Sequence, residues 1–126
     1  MISLNEFLKG RVKLKDLPEQ VQLNVVELLS KVNIIRHAYG KPLLVTSGYR
    51  SPEFNRQVGG APKSNHVKAA AIDIKAPHGG DFKQWVLKNI DLFVKLGLYM
   101  EDFNYTKSWV HIQIVAPRSG KRFFKP

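Results

Sequence analysis

The chain has 126 residues, 44% of them hydrophobic and 24% charged, no cysteine and a formal charge of +10. This composition suits one soluble globular domain over residues 1–126, and it excludes disulfides and thiolate metal sites, so that any metal must be held by His, Asp or Glu. The basic balance favours polyanions (nucleic acid, anionic lipid or the acidic polymers of a bacterial envelope) without choosing among them.

At the N-terminus, "MISLNEFLKG" lacks the basic-then-apolar order of a secretory signal, and Ser3 with Glu6 fits a capping box opening a short helix. The spacing of Val21, Val25, Leu28, Val32 and Ile35 predicts a long helix with one apolar stripe, started near Pro18 and stopped by Gly40 and Pro42. "PLLVTSGYR" reads as a buried strand running into a turn. In "SPEFNRQVGG", Ser51 caps a short helix that the glycine pair ends. "AAAIDIKAP" is a strand entering a Pro/Gly-rich turn. "DFKQWVLKNIDLFVKLG" reads as one helix capped by Asp81, with Phe82, Trp85, Val86, Ile90 and Phe93 inward. "LYMED", "SWVHIQIVAP" and the basic "KRFFKP" complete the strands, the last as an edge. Helices precede strands, which predicts an α+β fold with a small antiparallel sheet packed against helices. No apolar run approaches the roughly 20 residues of a membrane span.

Polar residues inside the apolar strands carry the chemical signal. Asp73 lies between Ile72 and Ile74, where an unpaired carboxylate costs several kcal/mol. His66 precedes that strand, and His111 is embedded in "WVHIQI". On adjacent antiparallel strands two histidines and one carboxylate can converge on one face, which would give N/N/O ligands and an open position, the composition of a catalytic zinc site. The alternative is three satisfied structural residues. His37, near a helix end, and His78, in the Gly-rich turn, read as surface residues. Arg50 ends a strand before a helix cap and should project from the rim, either pairing with Glu53 or offering a fork to a carboxylate or polarised carbonyl.

Together, "SGYRSPEFN", "SNHVKAAAIDI" and "WVHIQ" resemble the zinc peptidases that cut peptidoglycan stem peptides. These are the D-alanyl-D-alanine carboxypeptidases and dipeptidases and the L-alanyl-D-glutamate endopeptidases of bacteriophages, whose compact fold is shared with the hedgehog signalling domain. The pattern is S-G-[YF]-R, then S-x-H-x-x-G-x-A-x-D, then W-x-H, and the likeness runs from about Val45 to Ile114. It implies zinc ligands His66, Asp73 and His111, a substrate-binding or oxyanion-stabilising Arg50, and a substrate-binding Ser64, with Gln113 supporting the site. Ala69 replaces the motif glycine. The resemblance also calls for a general base three to five residues before the last histidine, but positions 106 to 108 are Thr106, Lys107 and Ser108. The nearest acids are Glu101 and Asp102, with Glu101 preferred on chain direction.

The expectation is therefore a monomeric, zinc-dependent hydrolase of peptide bonds in peptidoglycan stem peptides, a phage endolysin or virion-associated lysin found in host cytoplasm or virion and acting on the wall. The competing expectation is a catalytically weak or inactive relative that binds cell-wall polymer or nucleic acid. The chain lacks the aromatic–basic interleaving of single-strand binders, which argues against nucleic acid.

Overall fold

The computed structural model describes residues 1–77 and 80–126. His78, read from sequence as a surface residue, lies outside them. Among the described residues five α-helices and a five-stranded sheet make an α+β fold: α1 Leu4–Leu8, α2 Glu19–Tyr39, β1 Leu44–Ser47, α3 Pro52–Gln57, β2 Ala71–Lys75, α4 Phe82–Lys88, α5 Ile90–Leu96, β3 Tyr99–Glu101, β4 Val110–Gln113 and β5 Phe123–Phe124. Among the described residues no helix is long and apolar enough to cross a membrane.

The capping box of α1 forms: Glu6 N–H donates to Ser3 Oγ at 3.1 Å and Ser3 N–H to Glu6 Oε1 at 3.1 Å. In α2, Val25, Leu28, Val32 and Ile35 are buried, and the helix ends on Gly40, whose φ of 77° suits a residue without a Cβ. Ser51 caps α3 by accepting from Phe54 N–H.

The strand order is β1-β2-β4-β3-β5. β1 pairs antiparallel with β2, β2 with β4, and β4 with β3; the edge strand β5 runs parallel to β3, the one departure from the antiparallel expectation. Two further expectations are corrected. β1 is not a buried strand: it forms the other edge, and Leu44 is exposed, because the apolar run "PLLV" has a neighbour on one side only. The single helix expected over 82–96 breaks at Asn89, whose Nδ2 donates to the Trp85 carbonyl. Asp81 stands at the N-cap but its carboxylate does not cap; it accepts from Tyr39 Oη at 2.8 Å and Lys41 Nζ at 3.2 Å.

In the central pair, Asp73 lies opposite His111, Ile72 opposite Ile112 and Ile74 opposite Val110. Side chains alternate across a sheet. Ile72, Ile74, Val110 and Ile112 therefore share one face, packed in the core with Phe7, Leu28, Phe93 and Met100. Asp73, His111 and Gln113 share the other. All four residues of β4 are buried, so the alternation is one of polarity and not of exposure.

Candidate metal centre

Asp73 and His111 are cross-strand partners, and His66 comes from the loop between α3 and β2. One ligand atom from each of the three lies within 4.8 Å of the other two, and all three residues are buried. His66 Nε2 is 3.3 Å from Asp73 Oδ1, and His111 Nδ1 is 2.8 Å from that same oxygen.

The outer nitrogens of both rings are already committed. His66 Nδ1 lies 2.9 Å from the Gly48 carbonyl, which only accepts, so that nitrogen carries a proton and Nε2 is the nitrogen turned toward Asp73. Gln113 Nε2 donates to the Val115 carbonyl, turning Oε1 toward His111 Nε2 at 2.8 Å. Oε1 accepts that N–H and directs Nδ1 at Asp73. Metal-ligating histidines are oriented by partners of this kind. Gln113 thus lies against His111, on the strand face where the sequence placed it.

Charge is balanced tightly here. Burial pushes the Asp73 carboxyl up, but hydrogen bonds from His111 and His66 outweigh it and hold the group down, at about 2. Burial pulls His111 down, yet its hydrogen bond to Asp73 and the charges of Asp73 and Glu101 leave it raised. His111 donates from Nδ1 to Asp73; a divalent cation held by His66, Asp73 and His111 would take the place of that proton. Two imidazole nitrogens and a carboxylate oxygen are donors of the kind zinc takes, and three protein ligands would leave a position open.

A cavity of about 340 Å³ opens over this group and is lined by Arg50, Ser64 and Glu101 as well as the three candidate ligands. Arg50 does not project from the rim and does not pair with Glu53. Its Nε donates to Ser47 Oγ at 3.0 Å, one terminal nitrogen to Asn55 Oδ1 at 3.3 Å, and the other lies 4.0 Å from Asp73 Oδ2. The Asn55 contact requires Gly60, where a Cβ would come within 2.1 Å of Asn55 Oδ1. Ser64 Oγ accepts from His66 N–H at 3.2 Å and also faces the cavity.

The two adjacent acids separate. Glu101 Oε2 lies 3.9 Å from His111 Nδ1, because continuing the β3–β4 register brings Glu101 level with His111. Asp102 points elsewhere: its Oδ1 accepts from Asn104 N–H at 2.8 Å, and it lines a different cavity with Arg118, Lys121 and Lys125. Asp102 therefore drops out as a candidate base. His37 is exposed near the end of α2. Ala69, at the motif-glycine position, has φ 58° and is fully buried. The left-handed conformation costs a residue with a Cβ about 1–2 kcal/mol.

The family model for peptidase M15 matches residues 3–113. The chain belongs to the peptidase M15 family. A curated relative, the zinc D-Ala-D-Ala carboxypeptidase of Streptomyces albus G, is 40% identical over 58 residues, 45% of this chain and 23% of that protein. The chain thus spans about a quarter of that relative's length. No solved structure matches. The donor set of His66, Asp73 and His111 fits the metal in that relative's name, zinc.

Proposed function

We propose that this M15 peptidase, acting as one domain over residues 1–126, hydrolyses a peptide bond within the stem peptides of bacterial peptidoglycan, with His66, Asp73 and His111 as its zinc ligands. The observation that carries the reading is the convergence of His66 Nε2, Asp73 Oδ1 and His111 Nδ1 beneath a cavity that also holds an acid and an arginine. Zinc bound there supplies a Lewis acid and lowers the pKa of water from near 16 to about 7.

The chain's own residues do the rest. Glu101, with its carboxylate beside His111 Nδ1, takes a proton from the attacking water and returns it to the leaving amine. Arg50 is held by Ser47 and Asn55 with its guanidinium over the site, placing positive charge where a carbonyl oxygen becomes negative. Ser64 offers its hydroxyl to the substrate backbone. The formal charge of +10 favours retention on an anionic wall. Within this reading we infer an endopeptidase cut by a monomeric phage lysin acting at the wall, the phage branch of the resemblance being its support.

The test is the zinc-loaded chain on purified peptidoglycan, with released fragments identified by mass and new amino termini. We expect turbidity loss that a chelator abolishes and zinc restores, and none from His66→Ala or His111→Ala. Undiminished lysis by those variants would overturn the mechanism.

A further inference from the structure

Positive charge also gathers in the C-terminal stretch, away from the metal centre. Gly120 N–H donates to the Pro117 carbonyl at 2.9 Å, closing a tight turn in which Gly120 has φ 70°. Arg118 and Ser119 form the corner of that turn, and Lys121 and Lys125 stand on either side of β5. The three cations line a cavity of about 410 Å³ whose walls include Phe123 and whose one acid is Asp102.

Arg118, Lys121 and Lys125 are exposed, and among the described residues none of them forms an ion pair. Asp102 turns its Oδ1 to Asn104 N–H, so three cations face one committed carboxylate. Arg122, in the same run, is engaged elsewhere: it donates to the Leu98 carbonyl, and its guanidinium lies 4.2 Å over the Tyr99 ring. Ser119 Oγ accepts from Lys121 N–H at 3.3 Å, which leaves its own proton for an incoming oxygen.

This cavity and the metal cavity lie on opposite sides of β5. Consecutive strand residues point to opposite faces, and Phe123 lines the cationic cavity while Phe124 lines the metal cavity. β3 fixes that strand: Met100 N–H donates to the Arg122 carbonyl and Asp102 N–H to the Phe124 carbonyl, each at 2.8 Å. A polymer held on one side therefore leaves the other side open to a peptide. All the lining residues except Asp102 lie past residue 113, the end of the stretch shared with the M15 family.

We propose that this cavity is a docking site for a phosphodiester-linked polymer of the bacterial wall, with one phosphate held among Arg118, Lys121 and Lys125. Arginine offers a phosphate a two-pronged fork and lysine a point charge, and the volume is that of a small-ligand site. Nucleic acid fits less well. Phe123 is half-buried and packed edge-to-face on Phe103, ring centres 5.2 Å apart, and is not presented as a platform for stacking bases. The inference rests on the peptidase reading for the source of the phosphate, the wall, and its test reads binding apart from turnover.

Binding of poly(glycerol phosphate) to the full chain is measured by calorimetry at physiological salt, where charges more than about 8 Å apart are largely screened. Arg118→Gln/Lys121→Gln/Lys125→Gln should bind about tenfold more weakly, the order of factor that three exposed charge pairs supply together. Lys13→Gln/Lys88→Gln/Lys95→Gln removes the same charge from exposed positions elsewhere and should stay within about twofold. Asp102→Asn removes the cavity's acid and should tighten binding about two- to threefold, a gain that damage to the fold does not produce. Equal losses in the two triple variants, or no loss in the first, overturn the site. Tighter binding of a single-stranded oligonucleotide of matched charge, lost in the same variant, overturns the wall polymer in favour of nucleic acid. Cleavage of a soluble stem peptide by the zinc-loaded chain should be the same in the first triple variant as in the wild type; its loss there overturns a separate site. If no form cuts the peptide and the binding pattern holds, the peptidase reading fails and the docking site stands.

Discussion

The two faces of the β2–β4 pair are made by alternate residues of the same two strands, and they are buried to nearly the same degree. Ile72, Ile74, Val110 and Ile112 are at most 1% exposed, and Asp73, His111 and Gln113 at most 7%. Burial does not distinguish the faces; what each buried group meets does. The apolar face contributes by leaving water, a term indifferent to protons and metal. The polar face is favourable only as a satisfied network, in which Asp73 is met by two imidazoles and a guanidinium. One face holds the sheet together, and the other is held in place by it.

That contrast can be broken from either side. The largest effect expected is on the polar face: Glu101→Gln should lower kcat by about 10²–10⁴-fold while leaving bound zinc at wild-type stoichiometry. Asp102→Asn should stay within a few-fold; equal losses in both would mean that neither acid handles the proton directly. On the apolar face, Ile112→Ala should cost about 2–5 kcal/mol in urea unfolding, and by the same amount with or without zinc. Stripping zinc from the wild type should lower unfolding free energy by about 3 kcal/mol when free metal had been at 100 times its Kd. A zinc-independent melting temperature would mean that the metal does not join β2, β4 and the His66 loop. Gln113→Leu removes the acceptor that fixes the His111 tautomer and should weaken zinc about 10–100-fold, read by competition with a coloured chelator.

The smallest effect lies off both faces. Burial, then the hydrogen bond to Asp81, raises the Tyr39 hydroxyl to about 12. A folded pKa above the unfolded value gives stability that is complete below pH 10 and lost as pH climbs toward 12. Relative to Tyr39→Phe, the wild type should therefore lose no more than about 1 kcal/mol over that window, because its partner is exposed to solvent. A parallel pair of melting curves would show that the hydroxyl contributes nothing.

Much of the centre was legible because polar residues interrupt apolar strands. Asp73 between two isoleucines and His111 in "WVHIQI" are conspicuous wherever a strand is recognised. The supporting shell was less visible. The Gly48 carbonyl that sets the His66 tautomer has no side chain to announce it, and Gln113 could be placed only by assuming the period of β4. The choice between Glu101 and Asp102 depends on register, since one step along a strand reverses the face. Once Tyr99 pairs with Gln113, Glu101 must come level with His111. The edge position of β1 was hidden because an apolar run reads the same with one neighbouring strand or two. The break at Asn89 was hidden because the apolar spacing continues across it.

Residues 48 to 50 tie the first helix to the loop that carries His66. Tyr49 N–H donates to the Phe7 carbonyl, Arg50 N–H to the His66 carbonyl, and the Gly48 carbonyl accepts from His66 Nδ1. A Cβ at Gly48 would fall 2.0 Å from the Phe7 carbonyl oxygen, so helix and turn touch through bare backbone. Zinc affinity is thereby a strain gauge for the seating of the N-terminal helix. A substitution at Phe7, remote from the ion, should register in metal titrations before it registers as unfolding.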